Sequence, residues 1–477
     1  MPLSGRLVTV TDMDERTTMS RRTLLGGAVV GAAALGMGLG ASPRAGGLAL
    51  PASRRPGPGL LPDPSRPVAT DLIPQIENIV IVMMENHSFD NVLGLLGRGD
   101  GLAVDSRGDP TATNPWPKKS TFPPPGKNAA VRAFPMPDPC QEGGHPYNTW
   151  EAFWVSYAGG RNSGFVESQS GPVSMGFFEP SVLPFTNSLA STFPVCDRYF
   201  CSVGAQTYPN RRFLMAGTSF GLLTDDLQTA NPDVPPNGTI FDMLTRYGIS
   251  WRNYYSSLPS SAIWYYQVAD ATYLSHLENV SEFFTDAAAG TLPAVSLVDP
   301  DFSNQSQENP QDVQYGDQFL SQVVQAVMAS PQWASTLLVW CYDESGGYYD
   351  HVPPPRAVKP DTVPPVLATG DKPGSFNRYG FRVPAGVVSP YARPDYVSSV
   401  VHDHTSVLRL VESKWNLPAL SYRDAAADNL LDSVDLASPP AFLTPPALAA
   451  PPDPSVLAGC LSTGPGTIPP VGYVTTV

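Results

Sequence analysis

The apolar positions of this chain fall into short unbroken runs that stop at acids. Residues 79–84 are Ile-Val-Ile-Val-Met-Met, and the run ends at Glu85-Asn86-His87-Ser88. Residues 337–342 are Leu-Leu-Val-Trp-Cys-Tyr, and this run ends at Asp343-Glu344 with Gly346-Gly347 just beyond. Runs of this length read as strands buried on both faces, as in a parallel sheet. Residues 294–298, ended by Asp299, and 249–254 read as further strands, and 382–388 follows the acidic-pair strand. Helical spacing lies between them. Phe89, Val92, Leu93 and Leu96 share a face behind a capping Ser88. Residues 150–157 carry an aromatic face ended by two glycines, and core packing accounts for it better than substrate stacking. Residues 211–217, 240–248, 317–328 and 407–412 continue the alternation. The pattern predicts one large α/β domain over residues 73–437, with a central, mostly parallel sheet, helices on both faces and long loop insertions. The longest insertion, residues 97–144, is rich in Gly, Pro and Asp, and long loops of this kind often wall active sites. No internal repeat is present.

Composition narrows the function classes. The chain has 477 residues, with Lys+Arg 29 against Asp+Glu 43 and a formal charge of −14, and no basic stripe, so a nucleic-acid partner is not expected. The acidity also argues against tight attraction to anionic membranes. Five cysteines without CxxC spacing argue against a zinc-thiolate centre. Cys196 and Cys201 are near neighbours, but sequence does not fix a pairing, and Cys341 reads as a buried thiol within its strand.

The N-terminus reads as an address. Ser20-Arg21-Arg22-Thr23-Leu24-Leu25 precedes an Ala/Gly-rich apolar run that is short and weak for a membrane span. Residues 1–52 are therefore expected to hold a twin-arginine signal and the start of a linker, which implies the twin-arginine export machinery as a partner and a secreted or wall-associated protein. No stable transmembrane span is expected in the mature protein. Residues 53–72 read as a Pro-rich linker and 438–477 as an Ala/Pro-rich tail without its own core.

Ligands of open α/β sheets sit beyond the carboxyl ends of the strands. Glu85-Asn86 and Asp343-Glu344 place hard oxygen donors there, the type that holds a divalent cation. Thr207, before Tyr208-Pro209 at a helix entry, puts a hydroxyl beside free N–H groups and a positive dipole end, which suits a phosphate.

Four motifs, in order over about residues 76–415, carry a resemblance. They are Glu85-Asn86-His87-Ser88-Phe89-Asp90, Thr207-Tyr-Pro-Asn-Arg211, Asp343-Glu344-Ser-Gly-Gly-Tyr-Tyr-Asp350-His351-Val-Pro-Pro-Pro355 and Asp403-His404-Thr-Ser. Together they resemble the bacterial phosphoesterase family, which contains the nonhemolytic-type phospholipases C and a related acid phosphatase. The resemblance implies an alkaline-phosphatase-like fold, Thr207 as nucleophile, and Glu85, Asn86, Thr207, Asp343 and Glu344 as metal ligands. Chemistry agrees, because a threonine hydroxyl needs activation and coordination to a cation supplies it. All-oxygen ligation favours Ca²⁺, Mg²⁺ or Mn²⁺, with Zn²⁺ also admissible. His404 is expected to bind phosphate or water and His351 to protonate a leaving group, the plainer role of each being a hydrogen bonder that pins a loop.

Two positions depart from the family pattern. Asn309 stands where a Glu-His-Pro element usually has its histidine, and Asn148 stands where relatives often have one, with His145 nearby. The departures bear on the acid/base set and on substrate preference, not on the nucleophile or the oxygen ligands. The expected function is a secreted metal-dependent phospholipase C acting on phosphatidylcholine-like lipids. The alternatives are a broad acid phosphatase, or an exported binding protein that keeps the fold without turnover.

Overall fold

The computed structural model describes residues 56–117, 126–140, 146–227, 234–264, 270–309, 311–453 and 469–476. The expected signal segment, the first residues of the expected linker and His145 lie outside the described residues. Among the described residues no helix is long and apolar enough to cross a membrane.

The main sheet has eight strands. Asn78–Met84 is central, flanked by Thr336–Tyr342 on one side and Val295–Val298 on the other, both parallel to it. Trp251–Tyr255 and Leu277–Asn279 extend the second side in the same direction. On the first side Ala385–Val388 runs antiparallel, followed by Val195–Cys196 and Val397–Ser398. Every residue of Asn78–Met84 and Thr336–Tyr342 is buried. That burial is why these two runs carry no polar alternation, and each large aliphatic side chain contributes about 1.5–3 kcal/mol by leaving water. This is the mixed, mostly parallel α/β sheet that the pattern predicted.

Helix ends follow local chemistry. Ser88 Oγ accepts from the Asn91 N–H and starts the helix Phe89–Leu93. This helix stops at Leu93 rather than running to Leu96 as its spacing implied. The chain instead turns at Gly94, whose carbonyl accepts from Leu102 N–H at 2.8 Å, leaving no room there for a side chain. The aromatic helix Trp150–Tyr157 buries Trp150 and Phe153 against the core. Residues 56–72, within and near the expected linker, lie along the end of the helix His404–Trp415. There Gly59 N–H donates to Ala419 O, Leu72 N–H donates to Lys414 O, and Asn416 Nδ2 reaches three carbonyls of residues 63–67. In the tail, Val474–Thr475 pairs with Ala130–Arg132. Cys140 is disulfide-bonded, while Cys196, Cys201 and Cys341 are buried free thiols.

Candidate active site

Register builds the site. Asn78 pairs with Thr336 and Met84 with Tyr342, so the two longest strands end side by side. The next residue of each is an acid, and the Asp343 N–H donates to Met84 O at 3.0 Å. Val298 pairs with Val82, which brings Asp299 to the same edge. The acids that ended three separate apolar runs in the sequence thus share one end of the sheet. Asn86 follows Glu85 with a fully buried side chain whose two polar atoms find no partner. Gly346, at φ +62, is what lets the neighbouring turn approach, since a Cβ there would lie 1.9 Å from Asn86 O. Glu344 is held through both oxygens, by Asn148 Nδ2 at 2.6 Å and by the Gly346 N–H at 2.7 Å. Asn148, one of the two departures from the family pattern, therefore orients an expected ligand. Asn309, the other, accepts a hydrogen bond from Tyr348 Oη at 2.9 Å.

Thr207 is the first residue of the helix Thr207–Ala216, and Gln206 is its cap position. The loop before it is pinned by Asn210, whose Nδ2 donates to the carbonyls of Val203, Ala205 and Gln206. It is also pressed from behind by Phe153, which occupies the space where a side chain at Gly204 would go. The Thr207 hydroxyl is hydrogen-bonded to the Asp343 carboxylate. The helix entry is less open than the sequence implied. Pro209 has no N–H, and the Tyr208 N–H donates to Asp225 Oδ1 at 2.7 Å. Thr207, Glu85 and Arg211 lie on the floor of a pocket of about 180 Å³, with Asp225, Glu308 and Phe302 among its walls.

Arg211 is the organising cation. Its guanidinium lies 3.3 Å from Asp343, 3.4 Å from Glu85 and 3.6 Å from Asp299, and it donates to Ser260 Oγ and Met83 O. Burial pushes the Asp343 carboxyl up to about 6 against the pull of Arg211. Burial, reinforced by Asp343, raises Glu85 and Glu344 well above the carboxylate range. Asp225 is pushed up to about 7 by burial, opposed by its Tyr208 bond and Arg211 and reinforced by Asp343 and Glu308. One guanidinium thus faces several crowded acids.

Neither histidine expected to move protons lines this pocket. His404 is fully buried. Its Nε2 lies 2.6 Å from Asp343 O, a pure acceptor, so Nε2 carries the proton and Nδ1 accepts from Tyr199 Oη at 3.2 Å. Burial lowers its pKa to about 3, so it stays neutral and fixes the Asp343 main chain. His351 belongs to a different cluster. Nδ1 lies 2.8 Å from Asp90 and Nε2 3.2 Å from Asp100, while Arg382 joins Asp90 to Asp350. Burial opposes its charge, but the Asp90 bond and the charges of Asp90 and Asp350 outweigh it and raise its pKa to about 9. His404 and His351 thus each pin a loop, the plainer role, while phosphate binding and leaving-group protonation stand as the roles expected of them.

A divalent cation is tested by the donor set. Glu85, Asn86, Thr207, Asp343 and Glu344 are all buried oxygen donors at one sheet edge, the Asn86 amide lacks a partner, and negative charge is in excess. In donor type and charge these residues fit a hard cation. Among the described residues, no three His, Cys, Asp or Glu groups already stand close enough together to ligate one.

A family model described as the Phosphoesterase family matches residues 76–418. The chain is 31% identical over 390 residues to non-specific phospholipase C6 of Arabidopsis thaliana, covering 75% of this chain and 72% of that one. It is 29% identical over 446 residues to phospholipase C A of Mycobacterium tuberculosis, covering 84% of each. Among solved structures, an alkaline phosphatase superfamily protein from Vibrio parahaemolyticus is similar over 67% of this chain and 76% of its own, at 12% identity and a TM-score of 0.34. The family match and these relatives define a phosphoester-cleaving enzyme. The chain belongs to the phosphoesterase family and is a phosphoric ester hydrolase.

Proposed function

We propose that the protein is an exported, metal-dependent phospholipase C that cleaves phosphatidylcholine-like lipids to diacylglycerol and the phosphorylated head group through a phosphothreonine intermediate. The observation that carries this reading is the Thr207 hydroxyl, hydrogen-bonded to Asp343 at the floor of a pocket, in a chain about 30% identical to proteins named phospholipase C. Thr207 Oγ1 attacks phosphorus and the bond to the glycerol oxygen breaks. The hydroxyl proton passes to the Asp343 carboxylate, and the glycerol alkoxide takes a proton from water. The hydroxide left from that water then attacks the phosphothreonine and releases the phosphorylated head group, and Asp343 returns its proton to Thr207 Oγ1. Asp343 orients the nucleophile, and His404 and Met84 O hold Asp343 in place.

Few positive partners for phosphate line this pocket. Arg211 is shared among three carboxylates, and the Tyr208 N–H is taken by Asp225. A divalent cation on Glu85, Asn86, Thr207, Asp343 and Glu344 would lower the hydroxyl pKa and screen the phosphate. Ca²⁺, Mg²⁺ or Mn²⁺ is favoured over Zn²⁺ by the oxygen donors. Export by the twin-arginine route rests on Arg21-Arg22 before a weak apolar run.

The test is a panel on the purified mature protein: a choline phospholipid, a simple phosphodiester and a phosphomonoester, each with added Ca²⁺, Mg²⁺, Mn²⁺ or Zn²⁺. Release of phosphocholine from the lipid is the expected result. Free phosphate from the monoester with no cleavage of the lipid assigns a phosphatase instead, and no turnover with any metal assigns a binding protein.

A further inference from the structure

The pocket above Thr207 holds more information than its floor. At about 180 Å³ it is smaller than the roughly 300–1,000 Å³ that buries a drug-sized ligand. It takes a phosphoryl group with one small alcohol, and a diacylglycerol stays outside. The lining is graded. Glu85, Thr207 and Arg211 on the floor are buried, while Tyr208, Asp225 and Phe302 are half-buried and Leu258 is exposed at the rim.

We propose that this pocket selects its substrate by the charge of the small alcohol on the phosphate, and that Asp225 selects a cationic one, such as an amino alcohol. The proposal rests on the phosphoesterase reading and adds to it the residue that sets head-group preference.

Three observations carry it. The first is placement. Asp225 Oδ1 accepts from the N–H of Tyr208, the residue after the nucleophile, and the Asp225 N–H donates to Gln206 Oε1, the residue before it. The carboxylate is therefore tied on both sides to the chain that carries Thr207 and lines the same pocket as it. A short amino alcohol on a phosphate at Thr207 reaches a carboxylate in that pocket.

The second is charge. Arg211 is the only cation among the described lining residues, and it is spent on Glu85, Asp343 and Asp299. Among the described residues Asp225 makes no ion pair; Arg211 pulls on it from a distance while bonded to those other acids. A cation loaded on the oxygen ligands neutralises the floor and leaves the carboxylate on the wall facing the alcohol. A neutral or anionic alcohol gains nothing from it, whereas an ammonium does.

The third is shape. Tyr208 puts aromatic surface on the same small pocket beside Phe302, whose ring lies 4.8 Å from the Arg211 guanidinium, and Ile263 adds an apolar wall. Carboxylate and aromatic surface together are the surroundings that hold a quaternary ammonium.

The test compares two esters with the same leaving group, assayed on the metal-loaded protein. One is p-nitrophenyl phosphocholine. The other is p-nitrophenyl 3,3-dimethylbutyl phosphate, in which carbon replaces the charged nitrogen without changing shape. Wild type is expected to favour the choline ester in kcat/KM by about tenfold or more. Asp225→Asn, which keeps the size and loses the charge, is expected to bring the ratio close to one. Asp225→Glu, which keeps the charge, is expected to retain most of it. The ratio is the readout, so a general loss of activity does not imitate the effect. Equal rates on the two esters in wild type, or an unchanged ratio in Asp225→Asn, overturn the proposal and leave the hydrolase standing. Cleavage of neither ester overturns the phospholipase C reading and this proposal with it.

Discussion

Replacing Arg211 by methionine removes the guanidinium around which the acids at the sheet edge are arranged. The side chain is 1% exposed and faces Glu85, Asp299 and Asp343 within 3.6 Å, and it also donates to Ser260 Oγ and Met83 O. Removing one partner of a buried ionic network typically costs about 3–5 kcal/mol, because the remaining charges stay buried and uncompensated. In chelator at pH 7.5, urea unfolding followed by tryptophan fluorescence should show a loss of that size. Two effects should soften it. Asp343, already pushed up to about 6, takes up a proton as the pH falls, so the loss shrinks at pH 5.5. A divalent cation that binds the freed carboxylates stabilises by about 2.7 kcal/mol at a hundred times its Kd. The variant should therefore gain more from added cation than wild type does. An Arg211→Met protein as stable as wild type in chelator would refute the reasoning that this network holds the sheet edge together.

Three further outcomes follow from the geometry. Gly346→Ala combines a positive φ of +62 with a Cβ 1.9 Å from Asn86 O, so it should displace Asn86 and Glu344 and lower kcat/KM by about a hundredfold or more; activity near wild type would show that the turn has room to yield. In chelator the protein should be more stable at pH 5.5 than at 7.5. The folded-state pKa values of Asp343, Asp350 and Asp317, each raised to about 6, and of Asp225, raised to about 7, give a contribution that is present at low pH and lost as the pH rises through 6–7. The depressed pKa values of His87 and His404 oppose this below their unfolded value near 6.5 but are outnumbered, so a fall in stability at 5.5 under denaturant titration would contradict the assignment. Replacing both Arg21 and Arg22 by lysine should retain the precursor in the cytoplasm, as cell fractionation would show, and normal export would remove the twin-arginine proposal.

The strands were legible because their residues are buried on both faces and so read as continuous apolar runs. Their acids were legible as a site because ligands gather at the carboxyl ends of such strands. What the sequence could not give is pairing. That Met84 lies beside Tyr342 and Val82 beside Val298 is decided by the whole sheet, and it brings Asp299 into the site although its run differs little from the others. Arg211 stood inside a recognised motif, yet nothing local marks it as the counter-charge of three acids. Asp225 lies in a loop without periodicity, and only its bond to the Tyr208 N–H reveals it. For the histidines the sequence could not show the partners: His351 and His404 sit in motifs with the right chemistry, and tertiary contacts place their ring nitrogens against Asp90, Asp100, Tyr199 and the Asp343 carbonyl. Asn148 and Asn309, read as departures, hold Glu344 and accept from Tyr348.

The central claim is that Thr207 carries the phosphoryl group, and mass spectrometry after rapid acid quench tests it most directly. Wild type mixed with p-nitrophenyl phosphocholine and quenched in the first turnovers should yield a peptide bearing phosphocholine on Thr207. Thr207→Ser should form the same adduct on serine. Thr207→Asn keeps a hydrogen-bonding side chain at the helix start but has no hydroxyl; it should remain folded, form no adduct and lose several orders of magnitude in turnover, on the order of what removing a covalent nucleophile costs. An unmodified Thr207 under continuing turnover, or a Thr207→Asn variant that hydrolyses the ester at the wild-type rate, would contradict the account.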